Sequence, residues 1–239
     1  MVCNPSLKIF RSIFALPAVD DDKLPNMMNS SDSHLSIADL RPVATAFAIE
    51  WKVSLSELSQ PLEDKQRLAS GLLLQLSLTI GRTIANVCVE RLDRIAPTGR
   101  NQGLVDFKLI CRPIDRPPVD LGICVLPFLD PGRVEEACNL LLVYKDFGLD
   151  RLCLLRQGNL MADIQQLPTC LPKLLSPEIG GRFISLRSKD IVTILTVLSV
   201  FQNKQQYQVT NEMICAYLQQ SKLSIENELI SSIVLTAGS

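Results

Sequence analysis

The sequence predicts an α/β fold with a helical N-terminal section, a central mixed β-sheet with flanking helices, and a helical C-terminal tail. Three observations lead there. The front of the chain carries long apolar stretches at helical spacing, the middle changes to short β-rich segments punctuated by proline and glycine, and residues 189–239 return to helical patterning. With 239 residues, 47% of them hydrophobic and 21% charged, the chain can bury a full core and belongs with folded globular proteins.

Residues 1–36 read as an arm and linker. "LKIFRSIF" is amphipathic, as a targeting helix or a segment beside a lipidated Cys3 would be, but its apolar run is too short and interrupted for a signal peptide or membrane span. A loosely docked arm is expected, and its removal should leave the unfolding transition nearly unchanged. The polar, Asp-, Asn- and Ser-rich stretch after it lacks periodicity and reads as a linker.

An α/β domain is expected over residues 37–188. Ser36 is a natural N-cap for a helix carrying Val43, Ala44, Phe47 and Ala48, entered through Pro42. A longer helix is predicted from Leu62 to Val89, with a break near Gly71 or Gly81; its uncharged "GLLLQLSLTIG" is bracketed too closely by Arg67 and Arg82 to span a bilayer and reads as buried. "GLVDFKLIC" and "VDLGICVLPF" are predicted strands, held apart by the three prolines of "RPIDRPP". "DPGRVEEACNLLLVYKDFGL" has proline in its opening turn, Glu135 and Glu136 near the positive helix end and Gly148 as a stop, so it reads as a helix, and "DRLCLLRQG" as a third strand. Gly180 and Gly181 mark a turn, or a place where backbone could approach a phosphate.

Residues 189–239 form a predicted helical subdomain with pieces at Lys189–Asn203, Thr210–Gln219 and Ser224–Leu235, Thr210 and Ser224 serving as N-caps. Such helices can form a helix-turn-helix or a bundle packed on the sheet. The would-be recognition helix "SIENELISSIVL" has two glutamates and no basic residue, which disfavours phosphate contact.

Several chemistries find no support. A formal charge of −1 gives no global attraction to nucleic acid or anionic membrane. The eight cysteines stand singly, with no C-x-x-C pair and no cluster around the lone His34; this argues against a zinc site and for small buried thiols in a reducing cytoplasm. No P-loop, dinucleotide fingerprint or nucleophile elbow occurs, and aromatic residues are too few for a single-strand stacking platform.

One constellation carries a sharper expectation. On the strand at 104–110, Asp106 and Lys108 share a face, and Asp93 lies upstream. Phosphodiester hydrolysis needs hard oxygen ligands for Mg²⁺ and a nearby cation, roles that Asp93, Asp106 and Lys108 could fill. The acidic-x-Lys pattern also occurs at Asp21-Asp22-Lys23 and Glu63-Asp64-Lys65, but not on a predicted strand. Between Arg91 and Arg116, six basic residues outnumber three acids. The competing expectation is an ordinary solvated sheet face.

These residues resemble the PD-(D/E)XK nuclease superfamily, to which many type II restriction endonucleases belong. The resemblance implies an α/β core in which an Asp is followed, after a spacer, by an acidic-x-Lys triplet on an adjacent strand. Asp93 would be the first acid, Asp106-Phe107-Lys108 the triplet, and Glu90 a further acid; Leu92 stands where the motif name has proline. A second register makes Asp106 the first acid and Asp120 the triplet acid, with Gly122 where lysine should be. The function implied by the resemblance is a Mg²⁺-dependent DNA endonuclease of a restriction system: Asp93, Asp106 and Lys108 catalytic, Asp93 and Asp106 on the metal, Arg94, Arg100, Arg112 and Arg116 on duplex DNA, and a homodimer to cut both strands. The alternative is a non-catalytic regulatory or protein-interaction protein with an α/β scaffold and a helical tail.

Overall fold

The computed structural model describes residues 35–58, 65–95, 103–126, 147–157, 170–223 and 227–238, together with isolated positions between 135 and 165. The arm at 1–34, including Cys3, His34 and "LKIFRSIF", lies outside the described residues, as does Ser224.

The chain is mixed α/β. Its elements run α1 (Ile37–Glu57), α2 (Lys65–Ser77), β1 (Thr83–Ile84), β2 (Val87–Arg94), β3 (Phe107–Pro113), β4 (Val119–Val125), β5 (Arg151–Arg156), α3 (Cys170–Leu174), β6 (Gly181–Ser185), α4 (Ser188–Gln202), α5 (Asn211–Gln220) and α6 (Glu228–Gly238). The six strands lie in sequence order in one sheet. β1 through β4 pair antiparallel, and β4, β5 and β6 pair parallel. The parallel pairs have the longer connections they need: β4 to β5 and β5 to β6 are each joined by more than twenty residues, whereas β1 to β2 and β3 to β4 are joined by short turns that reverse the chain.

Strand alternation sends Leu92, Phe107, Leu109, Cys111, Leu121, Ile123, Val125, Cys153 and Leu155 into one core with α2, α4 and α6. Among the described residues, the opposite face is covered beyond β3, where Cys124, Leu126, Leu152 and Leu154 meet Cys138, Leu141 and α3. A third layer packs α1 and α5 on the outside of α4 through Val43, Phe47, Val197, Phe201, Ile214 and Leu218. Two glycines permit close approaches. A Cβ on Gly71 would lie 2.5 Å from the Ile194 carbonyl of α4, and one on Gly181 would lie 2.5 Å from the Leu174 carbonyl of α3. Gly181 is thus a packing glycine at the start of β6, and Gly180 before it, with φ at +71°, makes the expected turn.

Ser36 caps α1 through a reciprocal capping box with Asp39, and the Thr210 hydroxyl accepts from the Met213 N–H at the start of α5. Pro42 sits inside α1. The buried Glu50 of α1 accepts from Asn203 Nδ2 (2.9 Å) and Tyr207 Oη (2.7 Å), which ties α1 to the end of α4 and lifts the Tyr207 hydroxyl to about 12.

One expectation is corrected. The helix predicted from Leu62 to Val89 ends at Ser77 in the described chain, and Val87–Arg94 is a strand. Gly81, with φ at +77°, and a two-residue turn with positive φ at Ala85 and Asn86 carry the chain from helix to hairpin. Of the two arrangements expected for the tail, its last helix takes the packed one: α6 lies against the sheet and buries Leu229, Ile230, Ile233, Val234 and Ala237. Of the helix predicted around residues 131–148, Glu135, Cys138, Asn139 and Leu141 are helical, while Leu142 and Val143 are in a turn.

Candidate functional site

Asp106 stands at the entry to β3 and prolongs its ladder: its N–H donates to the Ile123 carbonyl (2.9 Å) and its carbonyl accepts from the Ile95 N–H (3.1 Å). Its carboxylate has two partners. Oδ2 accepts from the Val125 N–H at 2.8 Å, and Oδ1 lies 3.2 Å from the Lys65 ammonium at the start of α2. Lys65 also donates to the Gly103 carbonyl at 2.5 Å. Only 14% of the Asp106 side chain is exposed, and burial raises its pKa to about 6, against the opposing pull of Lys65, the Val125 N–H and Arg94.

Lys108 and Asp93 belong elsewhere. They are cross-strand partners on the uncovered face of β2 and β3. The Lys108 ammonium lies 2.9 Å from Asp120 Oδ2 of β4, while the Asp93 carboxylate is held by the Arg91 guanidinium of its own strand at 2.8 Å. A bulge between Val89 and Arg91 puts Glu90 at the surface too, where it pairs with Arg112. Each of these charged groups is therefore matched by a neighbour of opposite sign. Asp93, Asp106 and Lys108 do not share a bond, and Glu90 is committed to Arg112.

The second register is also placed by the sheet. Since Phe107 pairs with Ile123, the residue beside Asp106 on β4 is Cys124. That thiol is fully buried and pushed well above its ordinary pKa by burial and by Asp106. Two positions further stands Leu126, also buried. Asp120 lies four residues back, about 13 Å along the strand. Gly122 pairs with Leu152 of β5: a Cβ there would lie 2.5 Å from Leu149 Cδ1 and 3.1 Å from Leu152 Cδ1, so a lysine would have to displace both leucines. β4 thus presents a thiol and a leucine to Asp106.

Of the predicted DNA-contacting arginines, Arg112 is paired with Glu90, and Arg116 donates to the Gly238 carbonyl at the end of α6 at 3.3 Å. Arg94 is exposed at the end of β2, beside the Asp106 cavity, and makes no ion pair among the described residues. Arg100 lies outside the described residues.

Among the described residues, no group of three or more His, Cys, Asp or Glu side chains is placed to hold a metal ion. The donor set fits Mg²⁺ poorly for a second reason: Asp93 and Asp106 each already neutralise a cation in a separate place. No helix among the described residues is long and apolar enough to cross a membrane.

The sheet order and the placement of Asp106 define a mixed α/β protein with a part-buried acid–lysine pair at the entry to β3. Beyond that class the comparisons give nothing: no family model matches the chain, and no curated protein or solved structure is significantly similar to it. The residue that sequence reasoning passed over is Lys65. It closes Glu63-Asp64-Lys65, an acidic-x-Lys triplet on no predicted strand, yet it is the lysine that reaches Asp106.

Proposed function

We propose that this protein is a non-catalytic interaction protein, its α/β sheet serving as a scaffold. One observation carries the reading: the three side chains that hydrolysis would need together are each spent on a different partner, Asp93 on Arg91, Asp106 on Lys65 and Lys108 on Asp120. A charge already paired in the folded chain is poorly available to a metal or to a developing transition-state charge. The β4 residues beside Asp106 argue the same way, since Cys124 and Leu126 can neither bind Mg²⁺ through oxygen nor donate from an ammonium.

The surface best suited to a protein partner is the outer face of α1, where Ile49, Val53 and Leu55 are 46%, 47% and 55% exposed around a single cation, Lys52. The deciding experiment incubates purified protein and Asp106→Ala with duplex and single-stranded DNA in Mg²⁺ or Mn²⁺. Equal, background-level cleavage by both is expected. Cleavage by the parent that disappears in Asp106→Ala would return the protein to the metal-dependent nucleases.

A further inference from the structure

The Lys65–Asp106 pair forms one wall of a cavity of about 300 Å³, at the end of the sheet where β2, β3 and the start of α2 meet. Lys65 and Arg94 line it together, with Ala69 and Phe107 supplying apolar wall and Gly103 a rim. Two cations thus face one carboxylate, whereas on the open face of β2 and β3 Arg91, Lys108 and Arg112 each have their own acid.

The donors are not exhausted. An ammonium has three N–H groups, and Lys65 uses two, on Gly103 and Asp106. The planar fork of Arg94 has no hydrogen-bond or ion-pair partner among the described residues. An ammonium and a guanidinium converging on a partly apolar recess are the usual means of holding a tetrahedral oxyanion.

From this arrangement we infer that the cavity is a binding site for a small phosphate-bearing molecule, its phosphoryl oxygens bridging Lys65 and Arg94. The size favours a small ligand: 300 Å³ lies at the lower end of small-molecule sites. A polyanionic strand would need a track of available cations leading away from the cavity, and Arg91, Lys108 and Arg112 on the neighbouring surface are neutralised. The inference does not depend on the interaction reading, because a phosphate site can serve a catalytic or a non-catalytic protein.

Asp106 gives the proposal a distinctive sign. Its carboxylate competes with the anion for Lys65, so removing its charge should help the anion. At a metal site the same change would remove a ligand. Asp106→Asn keeps an oxygen for the Val125 N–H, and Arg94→Gln alters an exposed side chain, so both should fold.

The test is calorimetric titration of the full chain with inorganic phosphate, a sugar phosphomonoester and a short oligonucleotide, with sulfate as a probe whose charge is constant over the pH range used. Saturable binding of phosphate and the monoester is expected, weakened about tenfold or more by Arg94→Gln and tightened several-fold by Asp106→Asn. Matching melting curves for the three proteins without ligand, or a rise for Asp106→Asn, would show that the changes act on the site. Failure of the parent to bind phosphate and sulfate, binding indifferent to Arg94→Gln, or binding of the oligonucleotide alone would overturn the inference. Tight phosphate binding together with Asp106-dependent cleavage would uphold it while removing the non-catalytic reading.

Discussion

The two halves of the sheet handle charge differently. On β4 and β5 both faces are covered, and β5 shows an unbroken run of buried residues, Leu152 to Arg156. On β2 and β3 one face is open, burial alternates, and the open side is a mosaic of Arg91–Asp93, Glu90–Arg112 and Lys108–Asp120 pairs. Asp106 lies at the seam, two residues before Lys108 in sequence but in the buried regime. Spacing along a strand therefore says little about whether two charges act together; the layer covering each of them decides.

The contrast is sharpest in stability. Gly122→Lys forces a long charged side chain against Leu149 and Leu152 in the covered half and should cost about 3 kcal/mol or more, enough to threaten folding. Lys108→Gln, opposite Gly122 in the open half, breaks a part-exposed pair and should cost less than about 1 kcal/mol. Denaturant melts of the two variants would measure the difference, and similar losses in both would erase the distinction between the halves.

The seam should announce itself in pH dependence. Asp106 has a folded pKa near 6, above its ordinary 3.8, so the folded state disfavours its charge. Its penalty is absent below pH 3.8, grows between 3.8 and 6, and is complete above 6, where it amounts to something on the order of 3 kcal/mol. Asp106→Asn should accordingly raise the melting temperature at pH 7.5, with the gain shrinking towards pH 4.5. A gain that is constant with pH, or a loss at neutral pH, would place Asp106 in a polar environment instead.

The same division explains what the sequence could reveal. β3, β4, β5 and the helices α1, α4 and α5 were legible because apolar period, proline and cap residues agreed, as at Ser36 and Thr210. β2 was hidden because Leu76, Ile80, Ile84 and Val87 recur at near-helical spacing, and because the bulge at Glu90 breaks strand alternation. β6, short and only partly buried, offered no pattern at all. At the site, Asp106 was legible as an acid on a strand. Its partner was not, since Lys65 comes from a helix outside the motif window, and no local rule assigns Lys108 to Asp120 across the sheet.

The central claim is that Asp93, Asp106 and Lys108 serve separate ion pairs and build no metal site. A titration of melting temperature with Mg²⁺ at constant ionic strength tests it most directly, because any ion bound by the folded chain alone must raise the transition. The expected result is a flat response for the parent and Asp106→Asn alike. A saturable rise in the parent that is lost in both Asp93→Asn and Asp106→Asn would contradict the account.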